Sequence, residues 1–194
     1  MFNSSRVLVG AMSMHPIVVA LTGSPGTGKS TLASRLKQHG IHTISLEQVA
    51  EAVDALSKSD QTLEVETSKL GNWSWDGEQL CIIDGHLSHH CCIDAALVLR
   101  CHPSQLRQRL EQREGYGPDK IESNIEWELL SGVWSELIVL HPHVKVMEID
   151  TTHAKVPIEP ILSFLTNARY SKTVEEFIQE SIDWIGTGNV AESI

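Results

Sequence analysis

The chain has 194 residues, of which 41% are apolar, and this is enough to build one domain of ordinary size around a hydrophobic core. It carries 15 basic and 25 acidic side chains and therefore a formal net charge of −10 at pH 7. That balance argues against a general nucleic-acid or anionic-membrane binder, because both need a basic surface. No apolar stretch approaches the roughly 20 residues of a membrane-spanning helix. The spacing of the four cysteines favours reduced thiols in a cytoplasmic protein.

Five short apolar segments alternate with helical patterns along the chain. The predicted strands cover residues 17–21, 42–44, 80–83, 95–99 and 144–149. The predicted helices cover residues 30–39, 46–56, 103–113, 121–137, 158–167 and 173–185. This alternation predicts a three-layer α/β fold, in which a five-stranded parallel sheet has helices on both faces. We expect residues 1–15 and 187–194 to be tails around a single domain at 16–186, with Met12 and Met14 as alternative translation starts.

A glycine-rich phosphate-binding loop follows the first predicted strand. Residues 23–30 read GSPGTGKS, which fits G-x-x-x-x-G-K-[ST] between a strand and a helix. Glycines let successive backbone N–H groups point at phosphate oxygens, and the helix adds its positive dipole end. Lys29 is placed to reach the β- and γ-phosphates of ATP, and the Ser30 hydroxyl to ligate Mg²⁺. The motif therefore predicts a P-loop that binds ATP.

Asp84 ends the third predicted strand, which is where a P-loop protein holds Mg²⁺ or its water. His86, two residues later, could orient a water or a phosphate, or could be an ordinary surface histidine. A run of histidines and cysteines follows at residues 86–92. We expect it to be a loop rather than a zinc site, because the side chains of adjacent residues such as His89 and His90 should point in divergent directions.

Basic residues are concentrated in one stretch of the chain. Residues 41–99 hold two bases, Lys58 and Lys69, against ten acids, whereas residues 100–120 hold four arginines and one lysine. Arg109 and Arg113 are four residues apart, so they share one face of the predicted helix and can neutralise phosphate charge. A solvated helix face paired with carboxylates is the alternative. The turn at residues 115–118 could serve as the hinge of a lid over the phosphates.

The motifs together resemble the adenylate kinase isoenzyme 6 family of small P-loop nucleoside monophosphate (NMP) kinases. The resemblance spans about residues 16–165 and is most specific at residues 99–128. The matching pieces are the P-loop, Asp84-Gly85-His86, the run Leu99-Arg100-Cys101-His102-Pro103, Arg109-Leu110-x-x-Arg113, Gly115-Tyr116, Lys120-Ile121-x-x-Asn124-Ile125-x-x-Glu128 and Ile149-Asp150-Thr151-Thr152.

The resemblance implies a kinase with a core, an NMP-binding segment at about 45–69 and a lid at about 112–123. It implies that ATP binds the P-loop and that the loop after the fifth strand borders the adenine. The residues it implies for ATP are Gly23, Gly26, Gly28, Lys29, Ser30, Thr31, Arg113, Thr152 and His153. Lys29, Arg109, Arg113 and Asp84 are then the catalytic candidates, with Ser30 and Asp84 at the metal. The family also implies ATP hydrolysis and a part in maturation of the small ribosomal subunit, through a small-subunit protein partner.

Two departures from the family pattern bear on the site. Glu114 stands between Arg113 and Gly115-Tyr116, where the family reads Arg-Gly-Tyr directly. The segment 45–69 has no arginine, so the α-phosphate of an NMP would have to meet Lys58, Lys69, Arg100, backbone amides or another group.

Three functions therefore stay open. The first is transfer of the ATP γ-phosphoryl group to AMP or a related NMP, which needs no general base because the nucleophile is already an anion. The second is an ATPase assembly factor for the small ribosomal subunit, with His86 positioning water. The third is a small P-loop kinase for shikimate, gluconate or a nucleoside.

Overall fold

The computed structural model describes residues 18–59, 62–153, 155–168 and 171–186. Both predicted tails, and Ile17 at the start of the first predicted strand, lie outside these residues. The strands are β1 Val18–Gly23, β2 His42–Ser45, β3 Leu56–Ser59, β4 Thr62–Val65, β5 Cys81–Asp84, β6 Ala95–Arg100 and β7 Lys145–Asp150. Five of them form one parallel sheet in the order β2-β5-β1-β6-β7. The predicted five-stranded parallel sheet is confirmed.

The central strands are buried on both faces, and successive side chains alternate between two cores. Val18 and Ala20 of β1 join one core, whereas Val19 and Leu21 join the other. The helices are α1 Lys29–Gln38, α2 Leu46–Ala52, α3 Thr67–Leu70, α4 Pro103–Glu111, α5 Pro118–Leu129, α6 Gly132–Leu140, α7 Glu159–Asn167 and α8 Val174–Phe177. Helices α1 and α7 supply the second core, and α2, α6 and α8 supply the first. Helices therefore cover both faces of the sheet, which gives the predicted three-layer arrangement.

A third apolar cluster holds α4 and α5 together above the carboxyl end of the sheet. Leu106 and Leu110 of α4 pack there against Ile121 and Ile125 of α5. Both helices begin with proline at the first turn, where its missing N–H leaves no hydrogen bond unmade. This packing places α4 against the P-loop, where Leu106, Leu110 and the guanidinium of Arg109 all lie next to Gly26.

The predicted helix at 46–56 is shorter in the structure. It ends at Ala52, and Asp54 adopts a left-handed backbone with φ of 51°. Leu56 then begins the antiparallel hairpin of β3 and β4, which the sequence analysis did not predict. The predicted NMP-binding segment therefore contains α2, the hairpin and the first residues of α3.

The predicted helix at 121–137 is two helices, because the chain turns at Ser131 with φ of 53° before α6 begins at Gly132. A Cβ on Gly132 would lie 2.2 Å from the Trp127 ring, so this turn brings α5 and α6 into close contact. The predicted helix at 173–185 is also wrong beyond Phe177. A short 3₁₀ turn at Ile178–Glu180 follows, and the chain then loops back to bury Trp184.

Within the described ranges, no helix has both the length and the apolar character needed to span a membrane.

Candidate active site

The P-loop has the backbone conformation that its glycines allow. Gly23 and Gly26 have φ values of 135° and 90°, in the region that side chains disfavour. A Cβ on Gly23 would lie 2.3 Å from the Leu99 carbonyl oxygen, and one on Gly26 would lie 2.9 Å from the Leu106 side chain. Helix α1 begins at Lys29 directly after the loop, so its unpaired N–H groups and dipole face the same space.

Lys29 is folded onto its own loop. Its Nζ atom donates hydrogen bonds to the carbonyl oxygens of Gly23 and Ser24, both at 2.9 Å. The side chain is buried, and this burial lowers the pKa of Lys29 to about 8, with the nearby positive charge of Arg113 acting in the same direction and Asp84 and Glu128 opposing it. An anion that entered the loop would reverse this balance and favour the charged lysine.

Asp84 lies beside the P-loop because β5 pairs with β1, with Asp84 in register with Leu21. It shares a cavity of about 980 Å³ with Lys29 and Ser30. A serine hydroxyl and a carboxylate are oxygen donors of the kind that Mg²⁺ prefers, so the two residues fit the ion. The structure thus brings both predicted metal residues to the same cavity.

Three basic side chains line that cavity from above: Arg109, Arg113 and Lys120. Arg113 and Lys120 flank the predicted hinge at residues 115–118, and both contact the aromatic ring of Tyr116. Their charged groups lie 5.0 Å and 4.3 Å from the centre of that ring. Lys120 belongs to the basic stretch at residues 100–120 but was not among the predicted site residues. Glu114, the residue inserted in the family pattern, is exposed.

Arg109 connects the P-loop to the segment after β7. Its Nη2 atom donates to the carbonyl oxygens of Thr151 and Thr152, at 2.6 and 3.2 Å, and its Nη1 atom lies 3.4 Å from the Gly26 carbonyl oxygen. It also borders a second cavity of about 470 Å³. That cavity lies behind the P-loop, between α1 and the segment after β7.

The second cavity is partly lined by the loop after β7, which the family resemblance implies as the border of the adenine. Thr151, Lys155 and Val156 line it from the segment after β7. Thr152 and His153, the two residues predicted at the adenine, do not line this cavity. The Thr152 side chain is buried, accepts a hydrogen bond from the His102 N–H at 2.9 Å and donates to Asp150. His153 is exposed. That this loop borders the adenine stays a prediction; in the structure the neighbouring residues Thr151, Lys155 and Val156 line the cavity, whereas Thr152 and His153 do not.

Glu128 is a central residue of the site that the sequence analysis did not assign a role. It is 2% exposed and accepts hydrogen bonds from four groups. The donors are Ser24 Oγ at 2.6 Å, Arg100 Nε at 2.7 Å, Trp184 Nε1 at 3.0 Å and the Cys101 N–H at 3.2 Å. Glu128 is the last residue of the stretch 120–128 that carries the family resemblance, but its partners are up to 104 positions away in sequence.

Arg100 is excluded as a group that meets an NMP phosphate. It is 1% exposed, and its guanidinium pairs with Glu128 and with Glu148, whose oxygen lies 3.1 Å from Nη1. Lys69 pairs with Glu66 and donates to the Asp54 carbonyl oxygen. Two of the side chains that the sequence analysis left open are therefore engaged elsewhere.

His86 lines the main cavity with its side chain exposed at the cavity mouth, and partial desolvation together with the positive charges of Lys29, Arg113 and Lys120 lowers its pKa to about 4. It is therefore neutral near pH 7 and can accept a hydrogen bond.

The prediction that His89 and His90 diverge is wrong. They lie in a 3₁₀ turn, Ser88–His90, and both Nε2 atoms approach Glu136 Oε2, at 2.6 and 3.3 Å. The tight turn brings the two rings to a centroid separation of 4.7 Å, which an extended loop would not do.

Comparisons with known proteins agree with this geometry. The family described as AAA domain matches residues 19–131. A "Putative adenylate kinase" from Pyrococcus furiosus is 33% identical over 176 residues, covering 89% of this chain and 86% of that protein. A protein of the same description from Archaeoglobus fulgidus is 32% identical over 173 residues, covering 87% and 92%.

Two solved structures are more distantly similar. A shikimate kinase from Bacteroides thetaiotaomicron has 14% identity and a TM-score of 0.44, over 79% of this chain and 97% of that one. A gluconokinase from Sinorhizobium meliloti has 14% identity and a TM-score of 0.42, over 85% and 97%. At these values the likeness carries no argument about the reaction.

Proposed function

The chain belongs to the AAA domain family and to the family of the "Putative adenylate kinase" proteins, and from that membership we propose that it is a nucleoside monophosphate kinase. In this proposal it transfers the γ-phosphoryl group of ATP to AMP or a related NMP. The observation that carries the proposal is the single cavity of about 980 Å³ that joins the P-loop, Asp84 and the three basic side chains above them.

The donor triphosphate would lie in the P-loop. Lys29 leaves the carbonyl oxygens of Gly23 and Ser24 and turns to the β- and γ-phosphates, which compensate its buried charge. Ser30 and Asp84 would hold Mg²⁺, which supplies positive charge to the phosphates when bound. The adenine would occupy the cavity of about 470 Å³ beside Arg109.

The acceptor would enter from the side of the segment 45–69. Ser45, Leu46 and Glu47 line the main cavity at the start of α2, and Leu56 and Val65 line it from the hairpin. This wall offers no arginine to the acceptor phosphate. Lys120 and Arg113 lie on the facing wall, so we assign the acceptor phosphate to them.

To catalyse this transfer, the protein must position the two phosphate groups and neutralise their negative charge. The attacking group is a phosphate oxygen that is already anionic near pH 7, so no general base has to remove a proton. Lys29, Arg109 and Arg113 surround the transferred group with positive charge. Closure of the lid at 112–123 onto the phosphates would exclude the water that competes with the acceptor.

A second candidate, ATP hydrolysis, is favoured by His86. Its neutral ring lies on the cavity wall near Lys29 and Arg113, where it can accept a hydrogen bond from a water beside the γ-phosphate. The part in small-subunit maturation, with a ribosomal protein partner, would use such hydrolysis as a switch. That role and a cytoplasmic location remain predictions from the resemblance.

The test is an acceptor screen with the purified chain, ATP and Mg²⁺. AMP, CMP, UMP and GMP are compared with shikimate, gluconate and adenosine, and both nucleoside diphosphate and inorganic phosphate are measured. We expect diphosphate formation that requires an NMP. Phosphate release without any acceptor would instead support hydrolysis, and transfer only to a non-nucleotide acceptor would reject the proposal.

Two variants make the screen specific to the site. Arg113→Ala should lower the transfer rate by about 10²–10⁴-fold, because it removes charge at the transferred group. Arg107→Ala is the matched control, since Arg107 lies on α4, the helix that ends just before Arg113, and pairs with the exposed Glu122 away from the cavity. If both variants lost transfer activity equally, the loss would reflect lower stability of the fold and not removal of charge at the transferred group.

A further inference from the structure

A compact group of two histidines and a carboxylate lies next to the P-loop but takes no part in the proposed transfer. His89 and His90 come from the turn after β5, and Glu136 comes from α6. One ligand atom from each of the three residues lies within 4.8 Å of the others. His89 is buried, whereas Glu136 is partly open to solvent.

The hydrogen bonds around His89 allow either tautomer of its ring, and one of the two leaves the Nε2 lone pair available to a cation. The Thr22 hydroxyl lies 2.8 Å from His89 Nδ1 and 3.1 Å from the His86 carbonyl oxygen, yet it has one proton to donate. If that proton goes to the carbonyl, Nδ1 must carry its own proton and donate to Thr22 Oγ1. His89 Nε2 then presents a lone pair to Glu136 Oε2 at 2.6 Å, and a cation between the two atoms would satisfy both.

We propose that His89, His90 and Glu136 bind a divalent transition metal, with zinc as the best fit, through their two Nε2 atoms and one carboxylate oxygen. Two imidazoles and one carboxylate form a ligand set that zinc accepts in sites with one open position. Imidazole nitrogens suit zinc rather than magnesium, so this site is distinct from the one at Ser30 and Asp84. Thr22 would be the outer partner that fixes the orientation of the His89 ring.

Two of the three ligand-atom separations, those from Glu136 Oε2, can be compared with the spacing in a zinc site, and the separation of the two histidine ligand atoms lies within 4.8 Å. Metal–ligand bonds of about 2.0–2.1 Å in tetrahedral geometry place ligand atoms about 3.3 Å apart. The separation of His90 Nε2 from Glu136 Oε2 is 3.3 Å. The separation of His89 Nε2 from the same oxygen is 2.6 Å and must widen by about 0.7 Å. The partly exposed Glu136 side chain can make this movement by rotation.

The fourth ligand would be a water. Glu136 also lines a cavity of about 250 Å³ with Gly23, Ser24 and His86, so solvent reaches the open side of the cluster. The bound ion would connect α6 to the turn after β5, at the place where His89 contacts Thr22 near the end of β1. Its expected effect is therefore to stabilise this part of the fold.

The experiment uses the full chain without an affinity tag and without nucleotide. The protein is stripped with a chelator and dialysed against zinc, and the bound zinc is measured by elemental mass spectrometry. We expect one zinc per chain and a zinc-dependent rise in the melting temperature. Cobalt in place of zinc should give the visible absorption of a four-coordinate site.

Glu136→Gln keeps the size of the side chain and should weaken zinc binding by at least about tenfold. His90→Gln is the second variant and should have the same effect, so the test stands even if one of the two does not fold. Glu175→Gln is the matched control, because Glu175 pairs with His143 on the exposed surface. Cys92→Ser controls for the exposed thiol nearby.

Three results would overturn the proposal. One is that the wild-type chain takes up no zinc. Another is that Glu136→Gln and His90→Gln, both shown to be folded by circular dichroism, bind zinc as tightly as the wild type does. The third is that zinc binding is lost in Cys92→Ser, which would place the ion on the thiol.

Discussion

Proton uptake on ATP binding offers a quantitative test of the role of Lys29. Burial lowers the pKa of Lys29 to about 8 in the nucleotide-free protein, where its amine donates to two carbonyl oxygens. A neutral amine keeps two protons and can still make both bonds. A bound triphosphate favours the charged form, so its arrival should raise the pKa well above 8 and draw a proton from solvent.

The magnitude follows from the fraction of Lys29 that is protonated before ATP binds. With a pKa of about 8, this fraction is about 0.9 at pH 7, about 0.5 at pH 8 and about 0.1 at pH 9. Binding should therefore take up about 0.1, 0.5 and 0.9 protons at these three pH values. The free energy of protonating the amine at pH 9 is about 1.4 kcal/mol, so ATP affinity should be about tenfold weaker there than at pH 7.

Isothermal titration calorimetry measures this uptake. ATP is titrated in two buffers of different ionisation enthalpy at each pH, and the difference in binding enthalpy gives the number of protons. Lys29→Arg is the control, because arginine stays charged throughout this range. His86, with a pKa of about 4, does not titrate here. No proton uptake at pH 8, or the same uptake in Lys29→Arg, would refute the reasoning.

Three further predictions follow from the same contacts. Glu128→Ala should reduce the free energy of unfolding in urea by about 3–5 kcal/mol, because it leaves the buried Arg100 with one carboxylate partner, whereas Glu126→Ala, on the exposed side of α5, should change it little. Gly26→Ala should weaken ATP binding in calorimetry, because its Cβ would press on Leu106; Gly40→Ala, with a similar φ but open space around its Cβ, should leave ATP binding unchanged. Asp84→Asn should raise the Mg²⁺ concentration for half-maximal transfer by at least about tenfold, since loss of an outer partner alone costs metal sites that much; an unchanged Mg²⁺ titration would remove Asp84 from the metal site.

The family resemblance could be recognised from the sequence because the P-loop motif is a run of consecutive residues, 23–30. The comparisons confirm a likeness to adenylate kinases, while the narrower isoenzyme 6 assignment and the ribosomal role stay predictions. Segment 45–69 was harder to read. Its hairpin depends on Leu56 and Val65 packing against the first core, and no turn signal in the sequence analysis pointed to that contact.

The amino-acid sequence alone determined the sheet, the P-loop and the position of Asp84, because these depend on residue periodicity and on backbone conformation within a few positions. Only the tertiary structure decided that Arg100 is buried against Glu128 and Glu148, that Ser24 bonds to Glu128, and that His89 and His90 converge on Glu136. Each of these contacts joins side chains 28 to 104 residues apart. Their meeting depends on how α5 and α6 pack against the sheet, and no local pattern encodes that packing.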